Sequence, residues 1–160
     1  MGDNAMNLIK RPTWDEYFIE IAQVVATRST CLRRFYGAVI VKDKILISTG
    51  FNGSARGEIN CVDVKECVRE KMGVPKGERY ELCAAVHAEQ NAIINGDPVK
   101  MKDATIYIVG FNSDGTIASG EPCLMCQRMI KNAMIERAVY LDQNGQINIL
   151  KIVEKKSDMC

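Results

Sequence analysis

The chain has a single histidine, His87, and two of its seven cysteines, Cys123 and Cys126, form a Cys-x-x-Cys pair after it. One imidazole and two thiolates are a ligand set that Zn²⁺ commonly uses. His87 is far from the two cysteines in sequence. These residues can therefore bind one ion only if the fold packs a helix that carries His87 against the start of another helix that carries the cysteines. Because the pattern supplies three protein ligands, the fourth position is left for water, as in a catalytic zinc site.

Two neighbours of these ligands add chemistry to the predicted site. Glu89 lies two residues after His87, about 200° round a helix, so we expect a proton-transferring carboxylate rather than a fourth ligand. Pro122 precedes Cys123 and suits the first position of a helix. His-x-Glu followed by Pro-Cys-x-x-Cys is the signature of zinc deaminases that act on nucleobases, in which the metal lowers the pKa of water to about 7.

Apolar periodicity predicts eight main elements in the order αββαβαββ. Thr13 and Glu16 have the spacing of a capping box before the first helix, and Asn144-Gly145 predicts a tight hairpin between the last two strands. The predicted helices are 14–28, 84–95 and 123–134, and the predicted strands are 37–41, 45–49, 104–109, 138–141 and 146–153. We therefore expect an α/β fold, a three-layer αβα sandwich whose central mixed sheet has about five strands flanked by helices.

Length and charge restrict the class of protein. A chain of 160 residues with 47% hydrophobic residues is expected to form one domain spanning 1–160. A net charge of +1 makes nucleic acid an improbable partner, because nucleic-acid binders carry a basic excess. No apolar run approaches the ~18 residues of a membrane span, and the first residues lack a signal peptide. We expect no membrane partner and a cytoplasmic location.

The extended run His87–Ile93 resembles the zinc helix of the deoxycytidylate (dCMP) deaminases, within the cytidine deaminase superfamily. Segments of the N-terminal half fit the same family: Trp14–Phe18, Arg28–Cys31, Tyr36–Val41 and Gly50–Gly53. The resemblance implies a cytidine deaminase-like fold and a zinc-dependent hydrolase. It implies the conversion of dCMP to dUMP and ammonia, which supplies the thymidylate precursor.

The same resemblance implies roles for further residues. Asn52 would contact the sugar hydroxyl, and the backbone of Ala88 would read the edge of the cytosine. Arg33 and Arg34 are candidates for the 5′-phosphate, since guanidinium groups suit phosphate, although either could be a solvated surface arginine. The loop Gly50–Gly57 corresponds to a region that in many family members helps to bind a dCTP or dTTP effector. The family also implies a homo-oligomer, a dimer or hexamer.

Three departures from the family leave the substrate open. The predicted loop Phe111–Glu121 is long, and Glu121-Pro122-Cys123-Leu124-Met125-Cys126 is similar to the run in tRNA adenosine and guanine deaminases. The hairpin at Asn144-Gly145 replaces a helix. The alternative to dCMP is therefore another base: free cytidine or deoxycytidine, guanine or tRNA adenosine. A zinc-dependent interaction module is a further alternative, against which Glu89 argues, because a structural metal needs no proton shuttle.

Four other cysteines fall outside the catalytic pattern. They are Cys31, Cys61, Cys67 and Cys83. Their spacings match no standard zinc finger, yet four thiolates could hold a second, structural zinc that fastens the irregular segment 50–83 to the end of the first helix. Free thiols or a regulatory disulfide are the alternatives. Cys160 is expected to have no role.

Overall fold

The computed structural model describes residues 10–152. The last residue of the predicted strand 146–153 and Cys160 lie outside the described residues. The helices are α1 Trp14–Ala26, α2 Cys61–Val64, α3 Val68–Lys71, α4 Ala88–Asn95, α5 Pro98–Met101 and α6 Leu124–Asn132, with a 3₁₀ turn at Tyr80–Leu82. The strands are β1 Arg34–Lys42, β2 Ile45–Phe51, β3 Gly53–Ser54, β4 Ala85–Val86, β5 Thr105–Asn112, β6 Ile117–Ala118, β7 Arg137–Leu141 and β8 Ile147–Lys151.

The central sheet is mixed, with the strand order β2-β1-β5-β7-β8 and the short β6 paired to β5. Strands β5 and β7 are parallel, and the other pairs are antiparallel. The parallel pair needs a crossover, and α6 provides it. This arrangement confirms the predicted mixed sheet of about five strands.

One face of the sheet is covered by α1. The helix begins with the predicted capping box, in which the Thr13 hydroxyl accepts from Glu16 N and the Glu16 carboxylate accepts from Thr13 N. It ends at Ala26, two residues earlier than predicted. Its buried side chains pack on inward-facing residues of three strands: Phe18, Ile19, Ala22 and Ala26 on Val39, Val41, Tyr107, Val109, Val139 and Leu141.

The opposite face is covered by α4, α5 and α6. Buried residues of these helices and of the segment after α6 meet the alternate residues of β1, β5 and β7: Ala88, Ala92, Met101, Ile130 and Ile135 against Ala38, Ile40, Ile106, Ile108 and Ala138. Because successive side chains of a strand point to opposite faces, one sheet supplies apolar side chains to both the α1 layer and the layer of α4, α5 and α6. The predicted three-layer αβα sandwich is therefore confirmed.

Helix α4 lies directly on strand β2. A Cβ placed on Gly50 would collide with the backbone of Ala88 and Ala92, so only glycine allows this approach. The Ser48 hydroxyl donates to Ala92 O at 2.7 Å, and the Asn91 amide donates to Phe51 O at 2.8 Å. These contacts set the position of the first turn of α4 relative to the sheet.

Two predicted helix starts were wrong. Helix α4 begins at Ala88 instead of residue 84, because Ala85–Val86 extends as β4 and pairs with β3. His87 is consequently the N-cap rather than an interior helical residue. Cys123 is the N-cap of α6, so Pro122 precedes the helix and is not its first residue.

The connecting segments partly match expectation. The segment 55–82 is irregular as predicted, with two four-residue helices and a 3₁₀ turn. The predicted loop Phe111–Glu121 was wrong in part, since β5 continues to Asn112 and pairs with β6. The hairpin at Asn144-Gly145 joins β7 and β8 as predicted, with Gly145 at φ 77°. None of the helices between residues 10 and 152 is long and apolar enough to cross a membrane.

We expect Gly50→Ala to lower the free energy of unfolding by about 1–3 kcal/mol through overpacking and to weaken metal binding by displacing α4. Urea denaturation and a zinc titration would measure the two effects. Gly115→Ala is the control, because its added Cβ meets no atom within 4 Å and strains only a left-handed backbone at φ 85°. Equal losses of zinc affinity in the two variants would contradict the expectation.

Candidate metal centre and its cavity

The structure brings the three predicted ligands together. His87 precedes α4, and Cys123 and Cys126 lie at the start of α6. Their ligand atoms all lie within 4.8 Å of one another. The His87 Nδ1 atom is 3.3 Å from the Cys126 sulfur and 3.8 Å from the Cys123 sulfur. Side chains remote in sequence thus converge at two helix starts on the same face of the sheet.

The local backbone explains how these side chains are held. The Gln90 side chain accepts from His87 N at 2.9 Å, which closes the first turn of α4. The Cys123 sulfur accepts from Cys126 N at 3.5 Å and so caps α6. Free backbone N–H groups and the positive end of the helix dipole favour thiolates at such a position. The start of α6 is therefore suited to anionic sulfur ligands.

The electrostatics agree with this placement. Hydrogen bonds to the Cys126 thiol and then to the His87 ring lower the pKa of Cys123 to about 4. The hydrogen bond to Cys123 raises the pKa of His87. The hydrogen bond to Cys123, followed by burial, raises the pKa of Cys126. Two sulfurs and one imidazole nitrogen at these distances fit Zn²⁺, which is bound by sulfur and nitrogen ligands in a tetrahedron.

Glu89 lies beside these ligands in the first turn of α4. Its side chain is 6% exposed and lines the same cavity as His87 and Cys123. Burial raises the pKa of the carboxyl group, because a low dielectric disfavours the charged form. Ala88, which has no exposed surface, also lines this cavity. A carboxyl group with a raised pKa next to a metal centre is suited to accept and return a proton.

The cavity has a volume of about 500 Å³, within the range of small-ligand sites. Its lining includes His87, Glu89 and Cys123 and also the predicted residues Asn52, Arg33 and Arg34. Arg33 Nε forms an ion pair with Glu70 at 3.2 Å, and Arg34 Nη1 donates to the Tyr36 hydroxyl at 3.4 Å. Neither arginine is a freely solvated surface residue, since the Arg33 side chain is 11% exposed and Arg34 is half-buried.

The side chain of Asn52 forms two hydrogen bonds with the backbone of β1. Its side-chain oxygen accepts from Tyr36 N at 2.8 Å, and its side-chain nitrogen donates to Arg34 O at 2.9 Å. The amide thereby holds the start of β1 against the loop after β2. A second N–H and a second lone pair remain on an amide used in this way, so a contact with a ligand is chemically compatible.

The four remaining predicted cysteines line the same cavity as free thiols. Cys31 accepts from Arg33 N and Cys83 accepts from Ala85 N, each at 3.4 Å. Burial and then the nearby sulfurs of Cys31, Cys83 and Cys67 raise the pKa of Cys61. The four thiols are therefore neighbours. Within residues 10–152, however, the His87 group is the only one in which three ligand atoms lie within 4.8 Å of one another.

Arg69 and Tyr80 line the cavity and were not predicted from the sequence. Arg69, in α3, is 8% exposed, and its guanidinium lies 4.7 Å from the centre of the Tyr80 ring. The Tyr80 ring in turn packs edge-on against the His87 ring, with centroids 5.1 Å apart. Both residues belong to the irregular segment, in which apolar periodicity carries no signal. The nearby cysteines were the available indication that this segment folds onto the site.

Comparison with known proteins places these features in a family. A family model described as the cytidine and deoxycytidylate deaminase zinc-binding region matches residues 12–142. The chain is 39% identical over 137 residues to the deoxycytidylate deaminase of Mycobacterium phage D29, covering 82% of this chain and 97% of the phage protein. It is 34% identical over 131 residues to the deoxycytidylate deaminase of Schizosaccharomyces pombe, covering 81% of this chain but 37% of the yeast protein.

A solved structure agrees with the predicted cytidine deaminase-like fold. The crystal structure of dCMP deaminase from the cyanophage S-TIM5 in complex with dCMP and dUMP superposes with a TM-score of 0.54 at 25% identity, covering 81% of each chain. Because the family model spans most of the chain and the phage relative matches over nearly its full length, the chain belongs to the cytidine and deoxycytidylate deaminase family, which is defined by its zinc-binding region.

Proposed function

We propose that the chain catalyses the zinc-dependent hydrolytic deamination of dCMP to dUMP and ammonia. The observation that carries this proposal is the buried Glu89 carboxyl group, which lines one cavity together with His87 and Cys123 of the His87, Cys123 and Cys126 ligand group. A structural metal site has no use for such a carboxyl group, whereas hydrolysis of an amine needs a proton carrier. Deoxycytidylate deaminases among the relatives support dCMP as the substrate.

His87 Nδ1 and the sulfurs of Cys123 and Cys126 would hold the zinc. When bound there, zinc supplies a Lewis acid that makes hydroxide available from water near neutral pH. The N-cap position of Cys123 and its lowered pKa favour the thiolate, which is the form of cysteine that binds a metal. The tight first turn of α6 keeps the two sulfurs on the same side of the helix start.

Glu89 moves the protons of the reaction. It accepts one from the attacking water, delivers it to the ring nitrogen N3, and later transfers the remaining proton to the departing amine. Water adds to C4, the bond from C4 to nitrogen breaks, and ammonia leaves. The raised pKa of the buried carboxyl group suits both directions of transfer, because an effective acid–base group has a pKa near the working pH.

Other residues that line the cavity would bind the rest of the nucleotide. The backbone of Ala88 would read the cytosine edge, and the remaining N–H and lone pair of the Asn52 side-chain amide would contact the sugar hydroxyl. Arg33 and Arg34 also line the cavity and supply N–H groups for a phosphate. We further propose, from family membership, a homo-oligomer that responds to dCTP or dTTP, and a cytoplasmic location that agrees with free thiols.

Four neighbouring thiols support a second, structural zinc held by Cys31, Cys61, Cys67 and Cys83. The backbone N–H groups that donate to two of these sulfurs would stabilise thiolates. Metal binding would draw the four sulfurs closer together than they are as thiols. Such a site would join the end of α1, the start of α2 and the approach to α4, and so hold the irregular segment against the cavity.

We expect the zinc-loaded chain to deaminate dCMP and Glu89→Gln to lose about 10²–10⁴-fold in kcat while retaining its zinc, because the proton carrier alone is removed. Ultraviolet absorbance with dCMP, CMP, deoxycytidine and cytidine, together with metal analysis, would measure this. Glu136→Gln, an exposed residue outside the cavity lining, is the control. An active Glu89→Gln protein would contradict the mechanism.

The same substrate panel decides between the alternatives. Activity on a nucleoside without activity on dCMP would remove the proposed substrate and keep the deaminase chemistry. No activity on any of the four compounds would favour guanine or tRNA adenosine as the substrate, in agreement with the Glu-Pro-Cys-Leu-Met-Cys run. A tRNA gel shift that is absent even at low salt would eliminate the tRNA branch.

We expect two zinc ions per chain, one for each ligand group. Cys123→Ser with Cys126→Ser should leave one zinc and no activity, because the catalytic ligands are lost. Cys61→Ser with Cys67→Ser should also leave one zinc, but chiefly lower stability. Metal analysis by mass spectrometry and thermal denaturation would test both. A wild-type chain with one zinc would reject the four-cysteine site and leave the catalytic site in place.

A further inference from the structure

Three arginines place unsatisfied nitrogens around one cavity. Within residues 10–152, the buried side-chain nitrogen and oxygen atoms without a hydrogen-bond partner are Arg33 Nη1, Arg34 Nε and Arg69 Nε. All three side chains line the cavity that contains the metal ligands. A buried charged donor without an acceptor is energetically costly. Their occurrence in one cavity therefore favours binding of an anion there.

Arg69 is held by a backbone carbonyl and an aromatic ring. Its residue is 8% exposed, and Nη2 donates to Pro75 O at 3.4 Å. Its guanidinium stacks on the Tyr80 ring at 4.7 Å. Arg33, by contrast, already shares its charge with Glu70 through an ion pair. Within residues 10–152 no carboxylate forms an ion pair with Arg69, although the Arg79 hydrogen bond and then the Arg69 charge help to lower the pKa of the nearby Glu81.

The charges that surround the cavity separate into two groups. Arg33, Arg34, Arg69 and Lys76 line it as basic residues, and Glu89 and Glu121 line it as acidic ones. Among residues 10–152, neither Glu89 nor Glu121 forms an ion pair with these basic residues. A basic excess with buried N–H donors matches a dianionic phosphate monoester, which accepts several hydrogen bonds from guanidinium groups.

Tyr80 connects this basic wall to the metal centre. One aromatic ring contacts both the Arg69 guanidinium, at 4.7 Å, and the His87 ring, at 5.1 Å. The tyrosine therefore acts as a spacer between the metal ligand and the cation. A nucleotide with its base at the metal could extend its phosphate past this ring toward Arg69.

We propose that Arg69 binds the 5′-phosphate of the nucleotide, with Tyr80 holding the guanidinium in place, and that it determines the preference for a nucleotide over a nucleoside. This assignment rests on the proposed function, since it takes a cytosine nucleotide as the ligand of the cavity. It adds a binding residue from the irregular segment to the Arg33 and Arg34 pair.

Calorimetric titration of the zinc-loaded full chain with the products dUMP and deoxyuridine tests the assignment without turnover. We expect the wild-type chain to bind dUMP more tightly than deoxyuridine. Arg69→Gln should weaken dUMP binding roughly 10- to 100-fold and leave deoxyuridine binding unchanged. Arg79→Gln is the matched control, because Arg79 is exposed, pairs with Glu81 and lies outside the cavity lining.

A second variant separates phosphate binding from a structural role. Arg69→Lys keeps the charge but not the planar fork, so dUMP binding should fall less than in Arg69→Gln. Equal losses for dUMP and deoxyuridine, unchanged dUMP binding in both variants, or no preference for dUMP in the wild type would overturn the proposal. Phosphate-dependent binding without deamination of dCMP would instead overturn the proposed function and leave Arg69 as the phosphate ligand.

Discussion

The close contact between α4 and β2 is the constraint on which the site depends. Gly50 lets the helix backbone rest on the strand, and hydrogen bonds from Ser48 and Asn91 set the depth of the helix start. A metal centre tolerates little displacement of its ligands. Since His87 and Glu89 occupy the cap and the first turn of this helix, any shift of α4 on the sheet would move the proposed ligand and the proposed proton carrier together.

The second half of the site is built on the crossover between the parallel strands. Helix α6 follows β6 and returns the chain to β7, and its N-cap, Cys123, presents a sulfur to His87. Both helix starts therefore lie at the same region of the sheet, although they are supplied by separate crossover units. The positive ends of two helices stabilise negative charge there, which suits thiolate ligands and the chemistry of a developing anion.

The irregular segment between β3 and β4 forms part of the cavity wall and contributes the positive charges of Arg69 and Lys76. This segment contains only short helices and few regular backbone hydrogen bonds. Side-chain contacts must therefore fix its position. The Arg69 guanidinium lies over the Tyr80 ring, which packs edge-on against the His87 ring, and these contacts join the segment to the candidate metal centre. The ligand cavity is therefore complete only when this segment is folded against the site.

The sequence alone determined the chemistry and the layer architecture, because the His87, Glu89, Cys123 and Cys126 pattern and the apolar periods of the main helices and strands are local signals. It misplaced the start of α4, since the pairing of β4 with β3 is a contact between distant residues that overrides helix propensity. Only the tertiary structure decided that Arg69 and Tyr80 reach the cavity. Their positions follow from the packing of an aperiodic segment, and no local pattern of residues encodes such packing.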